Sequence, residues 1–143
     1  MPVKALILTG YGLNCDYETE YALKLAGAKT LKMHINDVIE NSGKILEDCQ
    51  ILVFGGGFSW ADDHGAGVIF ASKIKYNIGD RINEFIEEGN LVIGICNGFQ
   101  SLVNPSLCCY LTGSVPNGAD RSWLQAPLSL PPSSSYNAPL SKI

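Results

Sequence analysis

Histidine is nearly absent from this chain. Its 143 residues hold two, His34 and His64, and both precede every other candidate for chemistry in the C-terminal half. Proline is missing between Pro2 and Pro105, so the first hundred residues carry no proline barrier to regular structure. No long apolar run exists. The first, Ala5 to Leu8, is far too short for a signal peptide or a membrane span, which excludes a membrane from the expected partners. There is no excess of basic residues: the formal net charge is -4 with no basic stripe, which argues against a nucleic-acid partner. Five cysteines, an odd number with no C-x-x-C pair, argue against a disulfide framework and against a zinc site, and no metal is expected. The chain reads as cytoplasmic, and its length suffices for one domain with a real core.

What is present alternates. Val3 to Leu8 reads as a strand that ends in Thr9-Gly10-Tyr11-Gly12. A helix follows, with Asn14 or Asp16 as its cap, acids in its first turn, Tyr17, Tyr21 and Leu25 at helical spacing, and Gly27 as its stop. Thr30 to Ile35 is a weaker strand, and a short helical or irregular segment runs from Asn36 to Leu46. Ile51-Leu52-Val53-Phe54 is wholly apolar, as expected of a central strand in a parallel sheet. A helix over about Ser72 to Glu88 presents Ile74, Ile78, Ile82, Phe85 and Ile86, and Leu91 opens the next strand. This order predicts right-handed parallel crossovers: an α/β fold with an open, doubly wound, mostly parallel sheet. Ligands in such sheets gather at the carboxyl ends of the strands.

Two stretches lie at such ends. The first is Gly94-Ile95-Cys96-Asn97-Gly98-Phe99-Gln100, in which Gly94-x-Cys96-x-Gly98 has the spacing of a nucleophile elbow with cysteine as the nucleophile. Gly94 and Gly98 would remove side chains that collide with a strained Cys96. The start of the next helix would favour a thiolate there. A buried structural cysteine is the alternative for an isolated Cys, but the paired glycines are hard to explain by packing alone. The second stretch is Gly55-Gly56-Gly57-Phe58-Ser59-Trp60-Ala61-Asp62-Asp63-His64-Gly65-Ala66-Gly67, whose three leading glycines would let backbone N–H groups face a ligand. Read by itself it is better taken as a flexible glycine-rich loop. Asp62-Asp63 reads as a solvated pair rather than a metal site. His34, at a strand end, reads as structural. His64 sits in this second stretch beside Asp62 and Asp63, could approach the site, and is a weak candidate for a base.

Together these residues resemble the class I (triad) glutamine amidotransferases. More narrowly, Gly12-x-Asn14-Cys15-Asp16-x-Glu18, Gly56-Gly57-Phe58-Ser59-x-x-Asp62 with Gly65-Ala66-Gly67, and Cys96-Asn97-Gly98-Phe99-Gln100 resemble the glutaminase subunits of phosphoribosylformylglycinamidine synthases. The resemblance covers about residues 3 to 103 and departs from the family at Gly55, where proline is usual. It implies a flavodoxin-like amidotransferase fold, Cys96 as nucleophile, and the backbone amides of Gly57 and Asn97 as an oxyanion hole. Phe58 and Gln100 would hold glutamine. It implies ammonia supply to a larger synthetase subunit in purine biosynthesis, with ATP and magnesium on that partner, a small accessory subunit beside it, and no cofactor on this chain. It also implies a triad His and Glu downstream of the cysteine, where this chain has no histidine.

The composition changes near Val103. Six of the seven prolines follow it, serine becomes frequent, and Asp120 is the only acid left. Residues 1–103 therefore read as a partial amidotransferase domain, and 104–143 as a Pro/Ser-rich tail expected to be disordered or non-native, the mark of a truncated or frame-shifted product without triad activity. Two other classes fit the elbow. One is a cysteine-elbow hydrolase or stress protein of the DJ-1/PfpI type, though such proteins lack Gln100 and the Gly-Gly-Phe-Ser loop. The other is a non-catalytic flavodoxin-like interaction module.

Overall fold

The computed structural model describes residues 2–104, 107, 108 and 111. Four strands form one all-parallel sheet: β1 (Lys4–Thr9), β2 (Lys29–His34), β3 (Ile51–Phe54) and β4 (Leu91–Gly94), in the order β2-β1-β3-β4. Leu6 pairs with Leu31 on one side and Leu52 on the other, and Val53 pairs with Ile93. The two central strands carry the apolar runs Ala5–Leu8 and Ile51–Phe54. In β1 the residues Ala5 to Leu8 are all fully buried, because helices cover both faces of the sheet. The polar, weaker strand β2 takes one edge, and β4 takes the other.

Helices α2 (Ile35–Glu47) and α3 (Val68–Glu87) cover one face. Their Ile35, Val38, Phe70, Ile74, Ile78, Ile82 and Phe85 pack with Leu6, Leu8, Leu52 and Phe54 into the main core. Helix α3 begins one turn earlier than the sequence predicts. Gly67, at φ 71, supplies a left-handed N-cap and lets Ser101 approach where any side chain would collide. His34 caps α2: its Nδ1 accepts from the Asn36 N–H at 3.2 Å, so this histidine is structural, as expected.

Helix α1 (Asp16–Leu25) lies on the opposite face and corrects two expectations. Its N-cap is Cys15, and neither Asn14 nor Asp16 caps it by a side-chain bond. The Tyr17, Tyr21, Leu25 stripe points outward, with exposures of 72%, 70% and 77%. Thr19 and Leu23 face inward instead. Lys32 of β2 stands on this face and pairs with Asp16 at 3.3 Å and Glu20 at 3.4 Å. Tyr17 then lies over the same ammonium, 3.3 Å from its ring centroid.

Past β4 the short helix α4 (Asn97–Leu102) packs back on β3 and β4. Leu107 is fully buried in the main core, so packing runs beyond the expected boundary at Val103. Of the segment read as a Pro/Ser-rich tail, 104–143, all but residues 104, 107, 108 and 111 lie outside the described residues.

Candidate active site

Cys96 sits between the end of β4 and the first residue of α4, exposed, with φ 52 and ψ -111. That is a strained conformation for a residue with a side chain, as the elbow spacing predicts. The glycines around it serve a different purpose from the one expected. A Cβ on Gly98 would collide with the Phe54 carbonyl, and one on Gly94 would lie 2.9 Å from Cα and N of Phe99. They clear room for the turn to fold back on β3 and α4, not for the thiol itself.

The loop after β3 comes alongside. Gly55, Gly56 and Gly57 are buried rather than open, and Gly57 has φ 142. Its missing side chain admits the backbone of Gly12 to Asn14, with Leu13 Cα 2.7 Å from where a Cβ would be. The Gly12-x-Asn14-Cys15 stretch is therefore the wall that shapes this loop. The N–H groups of Asn14 and Cys15 donate to the Gly56 carbonyl at 3.2 and 3.3 Å, and the Phe58 N–H donates to the Gly12 carbonyl at 2.9 Å. Among the described residues, neither the Gly57 N–H nor the Asn97 N–H donates a hydrogen bond. Phe58 and Gln100 are exposed beside them. A strained exposed thiol, two uncommitted amides and adjoining apolar and amide side chains form an arrangement suited to acyl transfer.

His64 is exposed, its Nε2 3.8 Å from Asp63 Oδ2, and His34 is committed to the α2 cap. Among the described residues neither forms a hydrogen bond with Cys96.

Three residues that the sequence motifs contain but to which no role was assigned lie at the site. Asp62, read as solvated, is half-buried and accepts from Asn97 Nδ2 at 2.8 Å. Ser59 is buried and donates from both its hydroxyl and its N–H to Asn97 Oδ1, at 2.5 and 3.3 Å. Cys15 lies against Gly56, 3.3 Å from the position a Cβ would take there. The backbone between Ser59 and Asp62 is unusual. Trp60, Ala61 and Asp62 all have left-handed φ, at 52, 53 and 55. Each costs about 1–2 kcal/mol for a non-glycine residue, so the surroundings must hold the bend. Trp60 stacks on Tyr11 at 4.1 Å, and its N–H donates to the Tyr11 carbonyl at 2.7 Å. No local sequence signal marks this bend, since its glycines lie on either side of it.

Comparison with known proteins gives the arrangement a context. A family profile described as "CobB/CobQ-like glutamine amidotransferase domain" matches residues 2–125. The chain is 50% identical over 107 residues to the phosphoribosylformylglycinamidine synthase subunit PurQ of Methanococcus maripaludis strain C5, covering 75% of this chain and 39% of that protein. It is 46% identical over 116 residues to the PurQ subunit of Dehalococcoides mccartyi, covering 81% and 44%. Among solved structures, PurLQS from Thermotoga maritima contains a chain similar to it, with a TM-score of 0.61 and 28% identity over 75% of this chain and 45% of that one. The chain thus spans less than half the length of the relatives it matches. The chain belongs to the CobB/CobQ-like glutamine amidotransferase domain family.

Proposed function

We propose that this chain carries the thiol half of a glutaminase site serving formylglycinamidine ribonucleotide synthesis in the cytoplasm. In this reading the Cys96 thiolate attacks the side-chain amide carbon of glutamine. The carbonyl oxygen becomes an oxyanion, met by the N–H groups of Gly57 and Asn97, while Phe58 and Gln100 hold the substrate. The C–N bond then breaks, the nitrogen takes up a proton and leaves as ammonia, and a thioester remains. Water hydrolyses the thioester to glutamate and restores the thiol. The ammonia passes to a larger synthetase subunit that uses ATP and magnesium, with a small accessory subunit in the assembly. The names of the PurQ relatives and of the PurLQS complex support this assignment.

The observation that carries the reading is the pairing of Cys96, at its strained turn, with two backbone amides that no acceptor among the described residues uses. Acylation needs little more than these. Repeated turnover also needs a general acid and base, which the described histidines do not supply to Cys96. Loss of such a partner commonly costs about 10³-fold or more. The test is ammonia release from glutamine, measured with this chain and with a chain extended to the length of the relatives. Turnover by the extended chain and silence from this one is the expected result. Full turnover by this chain makes His64 the base, and silence from both overturns the glutaminase reading.

A further inference from the structure

We infer that Ser59 and Asp62 are positioning residues of the thiol site, acting through the buried side-chain amide of Asn97. This rests on the glutaminase reading above, in which the Gly57 and Asn97 amides meet the oxyanion. Asn97 is fully buried, and its amide is saturated. Its Oδ1 accepts from the hydroxyl and the N–H of Ser59, and its Nδ2 donates to Asp62 Oδ1 at 2.8 Å and to Gln100 Oε1 at 3.4 Å. One side chain therefore grips both ends of the left-handed bend 59–62, and the grip begins two residues after Gly57. The same residue offers its own backbone N–H to the site.

The consequence is geometric. The two amides belong to loops far apart in sequence, and their spacing must match one oxygen atom. Backbone bonds from residues 10–15 hold the Gly56–Phe58 side of the loop. Asn97 is the described side chain that ties the far side of the loop to the elbow. The bend it holds is one that Trp60, Ala61 and Asp62 would leave if released, because all three are strained. What Asn97 Nδ2 needs from residue 62 is an acceptor, not a charge. Asp62→Asn, which keeps a carbonyl oxygen in place, therefore preserves the function that Asp62→Ala removes.

The full chain is treated with a chloroketone analogue of glutamine: the Cys96 thiolate adds to the ketone carbon, which makes its oxygen an oxyanion, and the sulfur then displaces chloride from the neighbouring methylene carbon as the ketone re-forms. Iodoacetamide, which needs no oxyanion hole, gives the reference rate. Intact-mass readout follows both reagents for the parent, Asp62→Ala, Asp62→Asn and Ser59→Ala. Asp62→Ala and Ser59→Ala are expected to slow the chloroketone reaction about tenfold or more, less than outright loss of an oxyanion donor. The iodoacetamide rate stays within about threefold and Asp62→Asn recovers the parent rate to a similar margin. Unchanged chloroketone rates overturn the inference, and so does an equal loss with both reagents, which marks a purely structural role. Failure of Asp62→Asn to recover the rate also overturns it. A parent chain that iodoacetamide labels at Cys96 but the chloroketone does not overturns the glutaminase reading, and this inference falls with it.

Discussion

Cys15 and Cys96 flank one glycine: a methyl carbon built on Gly56 would lie 3.3 Å from the sulfur of Cys15 and 3.4 Å from Cβ of Cys96. Two thiols thus share the site entrance, yet they differ in setting. Cys15 is half-buried and donates to Asn14 Oδ1 at 3.4 Å, whereas Cys96 is exposed on its turn. Cys49 is different again. Burial pushes its thiol above the ordinary value, and the opposing pull of nearby Lys4 is smaller. Mild alkylation at neutral pH followed by mass mapping is expected to label Cys96 first, Cys15 next and Cys49 last. Labelling of Cys49 or Cys15 ahead of Cys96 contradicts the elbow assignment.

The glycines around the thiol are not equivalent. Gly98→Ala drives a methyl group into the Phe54 carbonyl, a backbone atom that cannot rotate away. A loss of about 3 kcal/mol is expected, the upper end of overpacking costs. At Gly55 the nearest atom to an added Cβ is the Leu8 carbonyl oxygen at 3.9 Å, and φ is not left-handed. Gly55→Ala is therefore expected to stabilise by about 0.4–1 kcal/mol, through a less flexible unfolded chain. Urea unfolding of both variants checks the pair, and equal effects at the two positions defeat the packing account.

Two strained positions make a second pair. Ala61 is exposed and left-handed, so Ala61→Gly loses no packing. Relief of about 1–2 kcal/mol outweighs about 0.4–1 kcal/mol of added unfolded-state entropy, and net stabilisation of about 0.5–1 kcal/mol is expected. Cys96→Ala keeps the strain and removes only the sulfur. It is expected to leave the fold intact and abolish capture of glutamine-like electrophiles, with a cost well below the roughly 2–5 kcal/mol of a core truncation. Thermal melts of the two variants test this, and an unfolded Cys96→Ala would make the thiol structural.

The ion pairs under α1 set a pH dependence. The bond from Lys24 holds the Glu20 carboxyl below its ordinary value of 4.5, against desolvation, with Thr30 and Lys32 adding to the pull. A depressed carboxyl contributes stability that is present above its unfolded value and lost as pH falls through the folded one. Desolvation pulls Lys32 down, but its bonds to Asp16 and Glu20 outweigh that and raise it above 10.5. Its contribution is complete below the unfolded value and lost as pH rises through the folded one. Glu20→Gln is expected to show a smaller fall in urea midpoint than the parent, both on acidification below the ordinary carboxylate range and on the alkaline side above the ordinary lysine value. Identical pH profiles for the two proteins would mean that these pairs are too screened to matter.

Local patterns in the sequence determined the alternation of strands and helices, the central place of Ile51–Phe54, and the strained turn at Cys96. Each follows from periodicity or from residues within a few positions of one another, and each appears in the structure. Tertiary structure decided the rest, because long-range partners set it. Tyr17, Tyr21 and Leu25 stand outward while Asp16 and Glu20 meet Lys32, a strand away. The purpose of Gly94 and Gly98 lay in the atoms of Phe99 and Phe54, and that of Gly57 in the backbone of Gly12 to Asn14. Ser59 and Asp62 became part of the site only because folding brought them to Asn97, 38 and 35 residues farther along. A buried amide takes whatever donors and acceptors the folded chain brings to it, and hydrophobic periodicity carries no trace of that pairing.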